Sequence, residues 1–148
     1  MRIIVSIKNV DLENKSVKEK NVGVAVNDNL TCGELYDFAI KFNVIPDFNH
    51  VDTVWVVRIN RLQIFNYFSK NKTYFYCNYN NHKVINVCKL MKTNVFEFEF
   101  YSSPIHRAKE LFLAYKGNLI TMGRDGWSDV YKYCNVTKEL ENEWFDVI

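Results

Sequence analysis

Residues 21–42, NVGVAVNDNLTCGELYDFAIKF, decide how the chain is read. Val22, Val24 and Val26 alternate with small or polar residues, which predicts a strand over about 21–27. Thr31 stands three residues before Glu34, the spacing at which the glutamate carboxylate reaches back to the backbone N–H of the capping residue. Leu30 and Leu35 occupy the positions of a hydrophobic staple around that box. Leu35, Phe38, Ala39 and Phe42 follow at i, i+3, i+4 and i+7, so a helix over about 32–43 is expected to lay this stripe on a sheet.

Outward from this segment, the chain alternates between strand and turn patterns. RIIVSI at 2–7 reads as a first strand and VDLENKSVKEK as a polar turn, which makes an N-terminal hairpin with the 21–27 strand. After Pro46, VDTVWVVRIN reads as a buried strand, and RLQIF either continues it or begins its neighbour. The Asn- and Tyr-rich stretch 66–82 holds a short hairpin around TYFYCNY. VINVCKLMKTN then leads into VFEFEFY, where Phe96, Phe98 and Phe100 alternate with glutamates as in a strand buried on one face.

In the last third, Ser103-Pro104 starts a helical turn, and Gly117-Asn118 between two β-rich runs signals a hairpin. Gly123 and Gly126 mark a further turn. WSDVYKYCN and TKELENEWFDV read as two short helices, the second capped by Thr137 with Glu139 and Glu141 at its positive end.

At 148 residues, 48% of them hydrophobic, the chain has the length and apolar content of one folded domain. The opening MRIIVSIK lacks the apolar run and small-residue cleavage site of a signal peptide, and no stretch reaches the length of a membrane span. Four scattered cysteines, Cys32, Cys77, Cys88 and Cys134, fit reduced thiols in a cytoplasmic chain. The net charge is +2, but residues 53–96 carry seven basic and no acidic side chains between two acidic flanks.

The order strand, strand, helix, strand and further strands ending in an alternating one resembles the ubiquitin-like β-grasp family over about residues 1–101. MRIIVSI is similar to the family's opening strand, and NVGVAVNDNLTCGELYDFAIKF to its second strand, capped turn and helix. VWVVRINRLQIF is similar to its third and fourth strands, and VINVCKLMKTNVFEFEF to its closing turn and final strand. The resemblance implies an α+β mixed sheet with one main helix, 66–82 as an insertion, and a C-terminal hairpin with short helices over 102–148. It also implies protein binding through an open sheet face. Conjugated members end in Gly-Gly, whereas this chain has no Gly-Gly and ends FDVI, so a conjugated modifier is not expected. YKGNLITMGRDGWSDVYKYCNVTKELENEW resembles a tail of small bacterial proteins, a likeness that names no activity.

Chemistry-bearing patterns are sparse. Cys77, His82 and Cys88 invite a zinc reading but lack a C-x2-C pair and a fourth ligand, so no metal is expected. Cys32 follows the helix cap, where amide dipoles favour a thiolate, yet its spacing links it to none of His50, His82 and His106. Gly123-Arg124-Asp125-Gly126 lacks the Lys-Ser/Thr of a phosphate loop and reads as a turn. No catalytic residues and no cofactor are expected.

Arg58, Arg61, Lys70, Lys72 and Lys83, interleaved with Tyr74, Tyr76 and Tyr79, are the candidate binding residues. Cations beside aromatic faces suit a single-stranded nucleic acid. The same residues suit an aromatic, polar protein interface. The leading expectation is a non-enzymatic protein-interaction domain, an adaptor or inhibitor in a bacterial or phage setting, with nucleic-acid binding second.

Overall fold

Isoleucine and valine at alternate positions give the N-terminal strand one apolar face. Ile3, Val5 and Ile7 of β1 (Arg2–Val10) are buried. Asn9 then adopts a positive φ of 63°, and Val10 instead of Asn9 turns inward. β2 (Val17–Ala25) returns antiparallel, Ile3 opposite Val24 and Ile7 opposite Lys20. The computed structural model describes residues 1–10, 17–47, 51–70, 72–76 and 79–115.

The expected capped helix follows. A 3-10 turn, Cys32–Glu34, leads into α1 (Leu35–Lys41), and the Glu34 carboxylate accepts from the Thr31 N–H at 3.0 Å and the Thr31 hydroxyl at 2.8 Å. The buried face differs from the expected stripe: Leu35, Tyr36 and Ala39 are buried, whereas Phe42 is 59% exposed. The tight first turn rotates the helix so that Tyr36 points to the sheet, its ring stacked on Tyr67 at 3.9 Å. Phe42 instead lies against Phe38 at 4.8 Å.

β3 (Val54–Ile59) and β4 (Leu62–Phe68) form a two-residue hairpin. Asn60 and Arg61 both take positive φ, 46° and 71°, as a turn of the I′ kind requires. Val54 and Val56 are buried as well as Trp55, Val57 and Ile59, so β3 is apolar on both faces except at Arg58. β5 (Thr73–Tyr76) pairs antiparallel with the end of β4. The 66–82 stretch is therefore no separate hairpin around TYFYCNY: residues 66–68 complete β4, the turn precedes Thr73, and TYFY is an outer strand of the main sheet.

VINVCKLM, expected as a closing turn, is a helix, α2 (Val84–Met91), with Val84, Val87 and Cys88 buried. Lys92 in the left-handed region (φ 55°) ends it. β6 (Val95–Tyr101) alternates as expected, Phe96, Phe98 and Phe100 inward. It lies between β1, to which it is parallel, and β3, to which it is antiparallel. The result is an α+β fold on a mixed six-stranded sheet of order β2-β1-β6-β3-β4-β5. One core joins the sheet to α1 and α2.

The chain divides into two compact units, Met1–Ser102 and Ser103–Ile148. In the second, α3 (Pro104–Tyr115) begins as expected, with Pro104 at its first position and the Ser103 hydroxyl accepting from the His106 N–H at 3.3 Å. Residues 110–115, expected as a β-rich run, are helical. The expected hairpin at Gly117-Asn118, the Gly123–Gly126 turn and the two terminal helices lie outside the described residues.

Two substitutions test the β3–β4 unit. The buried Ser69 hydroxyl accepts the Thr53 N–H at 3.0 Å, meets the Thr53 hydroxyl at 2.9 Å, and sits against the carbonyls of Val51 and Thr53. Ser69→Ala strands a buried N–H, and urea denaturation should show a loss of about 2 kcal/mol. Arg61→Gly relieves a left-handed side chain, and the same measurement should show a gain of about 1 kcal/mol.

Candidate functional site

The sheet sends the expected basic residues in different directions. Arg58 lies on the face opposite α1 and is tied to Glu99 at 2.7 Å, while Lys8 pairs with Glu97 at 3.1 Å. Arg61 occupies the β3–β4 turn, whereas Lys70 and Lys72 occupy the β4–β5 turn at the other end of β4. Seven strand residues separate these turns, a span of roughly 20 Å. Lys83 stands at the N-cap of α2. The other aromatics of this segment are largely core: Phe65, Tyr67, Phe68 and Phe75 are buried. Tyr74 is half-buried against Phe65 and Tyr67, at 5.3 and 4.7 Å between rings. Tyr79 is half-buried and meets His82 edge-on at 4.9 Å. Tyr76 lies in β5, and its side chain lies outside the described residues.

The segment leading into α2 runs beside the start of α1 and consumes its donors. The Cys32 N–H donates to the His82 carbonyl at 2.9 Å, the Gly33 N–H to Asn80 at 2.8 Å, and the Glu34 N–H to Thr31 at 3.1 Å. The amides that normally make a helix start an anion or thiolate site are thus already paired. Cys32 is fully buried, and burial, reinforced by nearby Cys88, pushes its thiol up to about 12. Burial also raises Cys88. The expected dipole effect on Cys32 is overturned by desolvation, which penalises the charged form. Cys77 lies outside the described residues, among which no group of three or more His, Cys, Asp or Glu side chains is placed to hold a metal ion.

A polar cleft of about 280 Å³ is lined by Thr31, Glu34, Asp37, Tyr74, Asn80 and Asn81, so of the expected residues only Tyr74 lines it. The Glu34 carboxyl there is held below the usual carboxylate range by the hydrogen bonds from the Thr31 backbone and hydroxyl. A more apolar pocket of about 320 Å³ is formed by Ile7, Val10, Val44, Ile45 and Pro46, with Lys20 and Asp47 among its lining residues.

The feature that sequence reading missed is the edge of the sheet at β2. Met1 and Val26 exchange backbone hydrogen bonds, the Val26 N–H donating to Met1 at 2.9 Å and the terminal ammonium to Val26 at 3.4 Å. In an antiparallel ladder such bonded pairs recur every second residue, so Val24, Val22 and Lys20 direct their backbone groups to β1. The Ile4 N–H accordingly turns the other way, to Asn94 at 2.9 Å. Glu19, Asn21, Gly23 and Ala25 therefore direct their N–H and C=O groups to the open side of the sheet, and all four residues are exposed. The strand is nine residues long and contains no proline. The alternation of Val22, Val24 and Val26 revealed the strand, but edge position depends on β6 inserting beside β1, which no local pattern announces.

No family model, curated protein or solved structure matches the chain. Among the described residues no helix is long and apolar enough to cross a membrane.

The thiol chemistry has a direct test. In the folded protein Cys32 should resist an aromatic disulfide reagent at pH 8 and react only on unfolding. Because its folded value lies above the unfolded one of about 9, the stability it contributes is complete below pH 9 and is lost as the pH rises towards 12. Denaturation between pH 8 and 11 should show this slope reduced in Cys32→Ala.

Proposed function

We propose that the chain is a non-enzymatic protein-interaction domain, built on a β-grasp sheet, that receives an extended segment of its target along the free edge of β2. The β2 edge carries this reading: four exposed residues direct outward backbone donors and acceptors that have no partner among the described residues, from a strand anchored to β1. Strand addition satisfies these groups with main-chain bonds and needs no catalytic side chain. The β-grasp assignment is supported by the first strand lying parallel beside the last, the helix that follows the N-terminal hairpin, and the short β5 added outside β4. The nucleic-acid reading loses support, because the cations lie at opposite ends of β4, one is paired to Glu99, and the neighbouring rings are core.

Proline separates edge use from folding. At Asn21 or Ala25 it removes an outward N–H and leaves the bonds to β1 in place, a position at which edge strands tolerate it. Affinity capture from the native host should recover a partner with the parent protein and lose it with Asn21→Pro and Ala25→Pro, while circular dichroism stays unchanged. A partner retained by both folded variants would refute strand addition at β2.

A further inference from the structure

The chemistry around the β2 edge specifies what it accepts. Side chains at even positions, Lys20, Val22 and Val24, share the core side of the sheet with Ile3, Val5 and Ile7. Those at odd positions, Glu19, Asn21 and Gly23, share the other side. A strand added antiparallel to β2 places its own side chains on the same two sides, directly opposite these residues. Val22 and Val24 are half-buried, so the edge offers an incomplete apolar row there. Lys20 is exposed and forms no ion pair among the described residues. On the other side, the Arg2 guanidinium lies over Gly23: a methyl group added there would stand 3.2 Å from its nitrogen. Arg2 likewise forms no ion pair among the described residues.

A second copy of the chain matches this surface only in part: a register centred on Asn21 sets Glu19 opposite Gly23, but no symmetric register sets a carboxylate of β2 opposite Lys20. A two-fold axis that joins two β2 edges antiparallel keeps corresponding sheet faces on the same side, so it opposes only positions whose numbers differ by an even count. Lys18 and Lys20 are even and Glu19 is odd. No symmetric register of β2 with itself therefore sets a lysine of the strand opposite its glutamate. In the register centred on Glu19, the two glutamates face each other and Lys18 faces Lys20. Like charges directly opposed weaken strand pairing.

We infer that the β2 edge takes an acidic extended segment of a different protein, running antiparallel, with apolar side chains opposite Val22 and Val24 and carboxylates opposite Lys20 and Gly23. This rests on the strand-addition reading above. The first carboxylate meets the Lys20 ammonium, and the second meets the Arg2 guanidinium across the small Gly23. The valines gain the apolar neighbours that the edge lacks, and the glycine leaves the guanidinium room to reach across.

The test uses the full chain and two blocked, fluorescein-labelled heptapeptides, Thr-Val-Glu-Val-Thr-Glu-Thr and the same peptide with both glutamates replaced by lysine. Fluorescence anisotropy at low salt should show the acidic peptide binding about tenfold more tightly. The preference should shrink as salt is added. The double substitution R2E/K20E should reverse it, and Asn21→Pro should abolish binding of either peptide. Equal binding of both peptides that Asn21→Pro still abolishes would overturn the acidic assignment while leaving strand addition standing. Failure of both peptides to bind would overturn the acidic assignment, and partner capture that persists in the proline variants would overturn strand addition itself. A dimer in sedimentation that Asn21→Pro dissolves would overturn the assignment of a foreign segment.

Discussion

The parallel pairing of β1 with β6 is the constraint from which the rest of the fold follows. Ile4 to Lys8 lie alongside Val95 to Glu99, so residues at the two ends of the first unit become neighbours in the middle of the sheet. With β6 also bonded to β3, the N-terminal hairpin and the β3–β4 hairpin are held on opposite flanks of a single strand. Phe96, Phe98 and Phe100 then fill the centre of the core, Phe98 and Phe100 edge-on to Trp55 at 6.4 and 5.1 Å. The same pairing pushes β2 to the outside. Without β6 beside β1, the hairpin would lose one of its two supports, and its outer strand would have no fixed edge to offer.

Much of this was legible where local chemistry and tertiary packing ask for the same residue. The Thr31–Glu34 box, the alternating phenylalanines of β6 and the Ser103-Pro104 helix start all formed where their patterns predicted. The misses have physical causes. α2 is only eight residues long, starts from Lys83, which is no capping side chain, and is rich in residues that favour strands, so its period over Val84, Val87, Cys88 and Met91 was outweighed. The β3–β4 turn has positive φ at Asn60 and Arg61 without a glycine to advertise it. Tyr36 replaced Phe42 in the core because the first turn is 3-10, which shifts the helical face.

The candidate site was less legible than the fold, because a run of cations in sequence says nothing about which end of a strand each will reach. β4 separates Arg61 from Lys70 and Lys72, and Glu99 claims Arg58. Burial moves Cys32 away from nucleophilic chemistry, and the carbonyls of Asn80 and His82 take the amides that would have assisted it. At β2 the fold presents backbone: a strand edge, anchored by Met1 and Val26, with polar groups turned outward that have no partner among the described residues.

Residue-resolved amide hydrogen exchange along β2 tests this most directly. The account predicts alternation, with slow exchange at Lys20, Val22 and Val24, whose N–H groups face β1, and fast exchange at Asn21, Gly23 and Ala25, whose N–H groups face outward. Uniformly slow exchange across residues 20–25 would show that the edge is already covered and would contradict it.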